Sequence, residues 1–387
     1  MNQGKYVFSQ VADFLPRRVF DRCVARYAGN KWTKHFTCWN QLLCMMYGQL
    51  SARNSMRDLM TCLGAHHDKY YHLGFGHNVS RTNLRNANKK RDWRIFEMFA
   101  MELIAEARRS CLAHSEFALD VAGAVYAFDS TTIDLCLNVF WWATFRRQKG
   151  GVKLHTMIDV RTEIPTFVLV TPASVHDVNA LDSIDYETGA YYVLDRAYVD
   201  FARLHTIHLR EATFVTRAKD NMRYRRVSRQ EPDHKHGVLS DLGIELVGFY
   251  AHKDYPVPLR RVRYYDQETR TTYVFLTNNF TLKALDIARL YKYRWSIELF
   301  FKWIKQHLQV QSFWGTTDNA VRTQIYTAIV TYTLISMIKH KMHCNLTTYE
   351  VLQIIGTSLL DKSPLRQLLT HVPMDQTPEI QFSLDFV

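Results

Sequence analysis

The sequence predicts a mixed α/β protein: a sheet covered by helices, entered through a helical, basic N-terminal third and interrupted by a β-rich insertion. Three observations carry this. Before residue 115 apolar residues recur at helical spacing, as in Met56, Leu59, Met60 and Leu63, and again in Ile95, Phe96, Phe99 and Leu103. From Leu119 the pattern changes to short apolar runs in the order three strands, helix, strand, helix, strand. From Arg217 to Arg270 a basic run gives way to alternation, as in Leu259-Arg260-Arg261-Val262-Arg263-Tyr264-Tyr265, before helical spacing returns.

The elements follow in order. Ser51 to Leu63 and Trp93 to Arg109 read as amphipathic helices. Between them Ser80 supplies an N-cap for a polar helix, Arg81 to Lys90, whose cations Arg81, Arg85, Lys89 and Lys90 suit it to lie along DNA. Val125 to Asp129, Val152 to Ile158 and Pro165 to Val170 read as strands, with a turn near Asp159 to Glu163. Val175 to Ile184 reads as a short helix, Tyr191 to Asp195 as a fourth strand, Tyr198 to Leu209 as a helix and Thr213 to Thr216 as a fifth strand. Thr272 to Leu276 returns to the core sheet. One long helix is expected from Leu282 to about Leu308, then Arg322 to His340, a helix opened by the capping box Thr347-Thr348-Tyr349-Glu350, and a last short helix begun by Ser363-Pro364. The expected organisation is a helical basic DNA-binding module (1–118), a catalytic core in two pieces (119–216 and 271–345) around a β-rich insertion (217–270), and a C-terminal helical segment (346–387).

Composition narrows the function. Of 387 residues 47% are apolar and 22% charged, which suits a globular chain with a full core. The net charge of +12 points to a polyanionic partner. Its distribution says more: residues 1–115 hold 18 Lys/Arg against 8 Asp/Glu, so most of the surplus sits in the first third. The seven cysteines, Cys23, Cys38, Cys44, Cys62, Cys111, Cys136 and Cys344, form no C-x-x-C pair and read as inert buried thiols of a reducing, cytoplasmic compartment. His66 and His67 lie near Cys62, but no second cysteine pair answers them, which argues against zinc. Met1 to Gln10 is polar and lacks the apolar segment of a signal peptide. The apolar run Ile325 to Ile338 is too short to span a bilayer and suits a buried helix.

The chemistry rests on three acids. Asp129 and Asp195 each end a predicted buried strand, where an unpaired carboxylate is costly unless a cation neutralises it. On a continuous helix of about 100° per residue, Tyr291, Arg294, Glu298 and Lys305 share one narrow stripe. It borders the apolar face of Leu290, Ile297, Phe301, Ile304 and Leu308. A carboxylate flanked there by two cations and a phenol suits a site that holds metal and contacts phosphate, although the same residues also satisfy a plain ladder of i,i+4 ion pairs. Hard oxygen donors select Mg²⁺ or Mn²⁺, and two such ions about 4 Å apart promote phosphodiester transfer. Asp134, Asp159, Asp177 and Asp200 are competing acids nearby.

The spacing Tyr291-x2-Arg294-x3-Glu298-x6-Lys305 matches the Tyr-Arg-Glu-Lys motif of a large group of bacterial insertion-sequence transposases with a DDE triad. Phe128-Asp129-Ser130-Thr131 resembles that family's first-acid segment and Leu194-Asp195-Arg196-Ala197-Tyr198 its second; Lys149-Gly150-Gly151-Val152-Lys153-Leu154-His155 is similar too. The resemblance covers roughly Leu119 to His340 and implies a ribonuclease-H-like core. The β-rich insertion then falls in the 103 residues between Asp195 and Glu298. It implies a transposase that cleaves transposon ends and transfers the strand into target DNA. Asp129, Asp195 and Glu298 are then the catalytic ligands of two Mg²⁺ (or Mn²⁺), and Tyr291, Arg294 and Lys305 the phosphate contacts. The implied partners are the terminal inverted repeats, target DNA and a second copy in a synaptic dimer at the bacterial nucleoid. The family's second-strand cut runs through a DNA hairpin. Related members stack a flipped base on an insertion tryptophan; here no Trp lies between Trp142 and Trp295, and Tyr250, Tyr255, Tyr264 or Tyr265 are the available aromatic faces. Two other readings stay open: a nuclease of the same fold that cuts without joining, and a repurposed DNA-binding regulator without catalysis.

Overall fold

The computed structural model describes residues 4–76, 79–111, 119, 121–135, 144–146, 149–307 and 313–370. Cys136, Trp142 and Leu308 lie outside these described residues. Among the described residues six α-helices come first: α1 (Val7–Ala12), α2 (Arg17–Arg26), α3 (Cys38–Leu50), α4 (Met56–Gly64), α5 (Arg81–Lys90) and α6 (Arg94–Cys111). Side-chain oxygens of Thr37, Ser55 and Ser80 accept backbone N–H bonds that open α3, α4 and α5.

The sheet is built from β1 (Val125–Leu135), β2 (Thr144–Arg146), β3 (Lys149–Asp159), β4 (Ile164–Pro172), β5 (Tyr191–Leu194), β6 (Thr213–Arg217), β7 (Tyr224–Gln230), β8 (Val238–Leu246), β9 (Leu259–Asp266) and β10 (Thr271–Thr277). β1, β3 and β4 form an antiparallel meander, and β5 and β6 run parallel to β1 on its other side. Three antiparallel strands followed by two parallel ones, with β1 central, is the ribonuclease-H-like arrangement. The sheet then continues through β10, β9, β8 and β7, all antiparallel, so the β-rich stretch extends the core sheet edgewise.

Alternation along β1 sorts the two faces. Val125, Ala127, Ile133 and Leu135 join the larger core under α6, α10 (Trp295–His307) and α11 (Asp318–Lys341). Tyr126 and Phe128 join a second core with Leu204 and Ile207 of α7 (Phe201–Leu209) and Leu181 of the 3₁₀ turn Asp177–Ser183. The remaining helices are α8 (Phe249–Asp254), α9 (Ala284–Lys292), α12 (Thr348–Thr357) and α13 (Leu365–Thr370). The capping box at Thr347 and Glu350 opens α12.

The helix α11 is buried on nearly all sides and packs against α3, α5 and α6. Trp93 stacks on Tyr326 with ring centroids 5.7 Å apart, and Thr331 Oγ1 donates to Gln49 Oε1 at 2.8 Å. Gly48 makes room for Trp314, whose ring would lie 2.3 Å from any Cβ at that position. The N-terminal helices and α11 therefore share one core.

Three local expectations need correction. β1 does not end at Asp129 but runs to Leu135, because β3 keeps pairing with it down to Gly150 after β5 has stopped at Leu194. The short helix expected over 175–184 is present as the 3₁₀ helix Asp177–Ser183. The expected long helix is two, α9 and α10, broken where Tyr293, Arg294, Ser296 and Ile297 donate to carbonyls three residues back. Such a turn advances about 120° per residue, so the straight 100° wheel does not describe Tyr291 relative to Glu298. Lastly, Cys62 and Cys344 are only partly buried, whereas Cys23, Cys38, Cys44 and Cys111 are buried.

Candidate active site

Parallel pairing builds the site. Phe128 lies opposite Leu194, so the next residues, Asp129 and Asp195, emerge side by side where the β1/β5 ladder ends. Crevices beyond the carboxyl ends of parallel strands are the usual ligand sites of open α/β sheets. Asp129 Oδ1 accepts the Ser130 N–H at 2.7 Å and the Tyr198 hydroxyl at 3.4 Å. Asp195 Oδ1 accepts the Ala197 N–H at 2.9 Å and so caps the turn after β5. Its carbonyl accepts the Thr216 hydroxyl, tying the segment to β6.

Glu298 arrives from the first turn of α10, which packs across β1. Arg294 joins the acids: its Nη1 lies 2.5 Å from Glu298 Oε1 and 3.6 Å from Asp129 Oδ2. The helix break at Tyr293–Arg294 turns this buried guanidinium into the cluster. Its head also lies 5.7 Å from the ring centre of buried Tyr291.

Electrostatics record the crowding. Burial raises the Asp129 carboxyl to about 6; the Ser130 N–H and Arg294 pull it down, and Asp195 and Glu298 push it up. Burial works against the Arg294 charge, but Tyr291, Glu298, Asp195 and Asp129 outweigh it and leave its pKa above the ordinary value. Burial likewise raises the Tyr291 phenol, with Arg294 and Arg217 opposing and Asp195 reinforcing.

Among the described residues no three acidic, histidine or cysteine side chains already stand in a metal-holding group; the Arg294 head lies between Asp129 and Glu298 instead. The donor chemistry nonetheless fits a divalent cation. Two hard carboxylates flank one guanidinium, Asp195 adds to their negative field, and the most buried, Asp129, resists ionising without further positive charge.

Lys305 stands apart from this group. Burial lowers its amine, and the acid that opposes the shift is Asp134, farther along β1. The other competing acids have structural duties. Asp159 accepts the Arg161 N–H at 2.9 Å, Asp200 accepts the Arg203 N–H opening α7, and Asp177 accepts the Ser130 hydroxyl at 2.7 Å. Of the four tyrosines, Tyr255 is fully buried under α7, Tyr264 packs against the core, Tyr265 is at the margin and Tyr250 is openly exposed beside Phe249 on α8.

Sequence reasoning missed the support behind Asp129. His155 lies across from Ser130 in the β1/β3 register, fully buried, its Nε2 against Thr171 Oγ1 at 2.8 Å and its Nδ1 4.0 Å from Asp177. Lys153 pairs with Asp177 at 3.1 Å. Burial lowers the His155 imidazole to about 4, with Asp177 opposing, so it is neutral near pH 7. Strand alternation through Lys153-Leu154-His155 was the available signal.

Residues 122–334 match the family model described as a transposase DDE domain, and residues 3–76 match a domain of unknown function, DUF4372. A Sinorhizobium fredii protein named as a transposase is 39% identical over 214 residues, covering 54% of this chain and 58% of that protein. One named as the transposase of insertion sequence element IS5377 from Geobacillus stearothermophilus is 31% identical, covering 60% and 61%. One named for element IS4SA from Synechocystis is 22% identical, covering 74% and 80%. The chain thus spans about three fifths of the length of the first two relatives.

Proposed function

From its membership of the transposase DDE-domain family, which the match over residues 122–334 establishes, we propose that this chain cleaves DNA at transposon ends and joins the freed strand to target DNA. The observation that supports the proposal is that Asp129 and Asp195 follow paired residues of adjacent parallel strands while Arg294 bridges Asp129 to Glu298 on α10. The family is divalent-metal-dependent. Asp129, Asp195 and Glu298 would hold the metal, Mg²⁺ or Mn²⁺, two ions per site, which activates the attacking oxygen and neutralises the leaving one.

The chain's own groups do the rest. Ser130 N–H and Tyr198 fix the Asp129 carboxylate, and the Asp177–Lys153–His155 set braces Ser130 from the opposite face. Arg294 exchanges carboxylates for a DNA phosphate, to which its planar fork can bond bidentately. Tyr291 backs the Arg294 guanidinium from its buried position, its phenol available to a phosphate that displaces the carboxylates, and Lys305 would extend the cationic path along α10 toward Asp134. Tyr250 is the exposed aromatic face through which the insertion meets a base. The partners are transposon inverted repeats and target DNA, with a second copy in the synaptic complex, acting at the nucleoid. Among the described residues no helix is long and apolar enough to cross a membrane.

The test is strand transfer. A pre-cut transposon-end duplex, a plasmid target, Mg²⁺ and the purified chain should yield joined product. Cutting of an uncut end without joining would favour a nuclease; binding without either reaction would favour a regulator.

A further inference from the structure

A second cationic surface lies in the N-terminal third. A groove of about 640 Å³ opens between the loop after α2 and the helix α5. Trp32 stands on it 91% exposed, more than any other large apolar side chain among the described residues. Its backbone is left-handed (φ 61°), a conformation uncommon for a bulky residue. Lys31 Nζ lies 5.7 Å from the centre of its ring. Lys34 from the loop and Lys90 from α5 line the same groove, with Asn83 and Asn86 a turn apart on the α5 wall. Asp92 also lines it, but Arg94 bonds that carboxylate at 2.6 Å and offsets its charge.

The groove is built, not an accident of a loose loop. Arg91, at the end of α5, donates to the carbonyls of Phe36 and Thr37 and to Gln41 Oε1, which clamps the loop to the helix. Asn30 Oδ1 accepts the Cys38 N–H at 2.8 Å. Asn319 of α11 donates to the carbonyls of Asn88 and Arg91 and accepts the Trp93 N–H. Both walls are thereby fixed to the long helix that also backs the catalytic sheet.

We propose that this groove is a binding site for duplex DNA, in which Lys31, Lys34 and Lys90 neutralise phosphates and Trp32 packs against a deoxyribose. This rests on the transposase reading and assigns a role to the region that includes the match of unknown function over residues 3–76. The lining decides the occupant. Three lysines and two asparagines suit an anionic, hydrogen-bonding backbone and not an apolar peptide. A second copy of a chain with net charge +12 would set like charges face to face. An aromatic face among lysines combines charge neutralisation with contact to an uncharged surface between phosphates.

The experiment uses the full chain, a labelled transposon-end duplex and fluorescence anisotropy across a salt titration, with a thermal melt of each protein. Trp32→Ala should weaken duplex binding about tenfold without changing the salt slope, since no charge is lost. The combined Lys31→Gln, Lys34→Gln and Lys90→Gln variant should reduce the slope by about 2 to 3, near 0.9 for each lost phosphate contact. All variants should melt like the parent, because these side chains are exposed. Parent-like affinity and slope in both variants, with the parent itself binding, would overturn the groove and leave the transposase reading standing. A parent that ignores duplex at low salt would overturn both. Losses confined to a single-stranded oligonucleotide would overturn the duplex assignment.

Discussion

Two arginine–carboxylate clusters in this molecule use the same groups to opposite ends. Arg260 on β9 grips Asp241 on β8 through two bonds of 2.9 and 2.7 Å, and both side chains are almost wholly buried. Its remaining N–H groups donate to the carbonyls of Asn279 and Leu282 and to Gln230 Oε1. One cation meets one anion and the donors are used. Where the β1/β5 ladder ends, one cation, Arg294, lies against Asp129 and Glu298 with Asp195 adding to the negative field, and its Nε is buried with no hydrogen-bond partner among the described residues. The first cluster is closed and ties the extension of the sheet to the segment before α9. The second is left short of positive charge, a state that structure alone does not need and that a metal and a phosphate would complete.

The comparison can be broken at several points. If Asp129, Asp195 and Glu298 hold the metal as proposed, Asp129→Ala, Asp195→Ala and Glu298→Ala should each take cleavage of an end substrate to background, a loss on the order of a thousandfold or more. Near-parental cleavage by any one removes that residue from the site. Arg260→Met should cost about 3–5 kcal/mol by stranding Asp241, seen in a denaturant melt. Cleavage per folded molecule should be unchanged, and adding Asp241→Leu should recover much of the stability. Loss of cleavage with an intact melt would make the closed cluster functional after all. Arg294→Lys keeps the charge but loses the fork, and should slow cleavage about tenfold with a smaller stability change than Arg260→Met. A lowered melt with normal cleavage would reduce Arg294 to an ion-pair partner of Glu298.

Much of this was legible in the sequence because it is local. The strand runs around Asp129 and Asp195, the caps at Ser80 and Thr347 and the spacing of Arg294 to Glu298 each depend on a few neighbouring residues. What was not legible depends on distant partners. Nothing in Tyr291-Lys292-Tyr293-Arg294 breaks a helix, having neither Gly nor Pro; the break coincides with Arg294 reaching Asp129 on another element. β1 outlasts Asp129 because β3 pairs with it, and one strand's pattern does not disclose where its partner stops. The burial of α11 between N-terminal helices joins residues some 280 apart, as in Gln49 with Thr331. The exposure of Trp32 beside α5 likewise depends on residues far along the chain, which no local pattern discloses.

The most direct measurement is a thermal melt of Asp129→Asn without metal, across pH, beside its cleavage rate with Mg²⁺. The folded Asp129 carboxyl sits at about 6, against about 3.9 in an unfolded chain. Between those values the folded state binds the extra proton, so this residue's contribution to stability falls as pH rises from 4 through 6. Removing the ionisable group should therefore leave the melt unchanged near pH 4 and raise it near pH 8, by at most about 3 kcal/mol, while cleavage disappears. A variant that melts lower than the parent at pH 8, or that still cleaves, would contradict the account: Asp129 would then be a structural partner of Arg294 and not a carboxylate held in deficit for a metal.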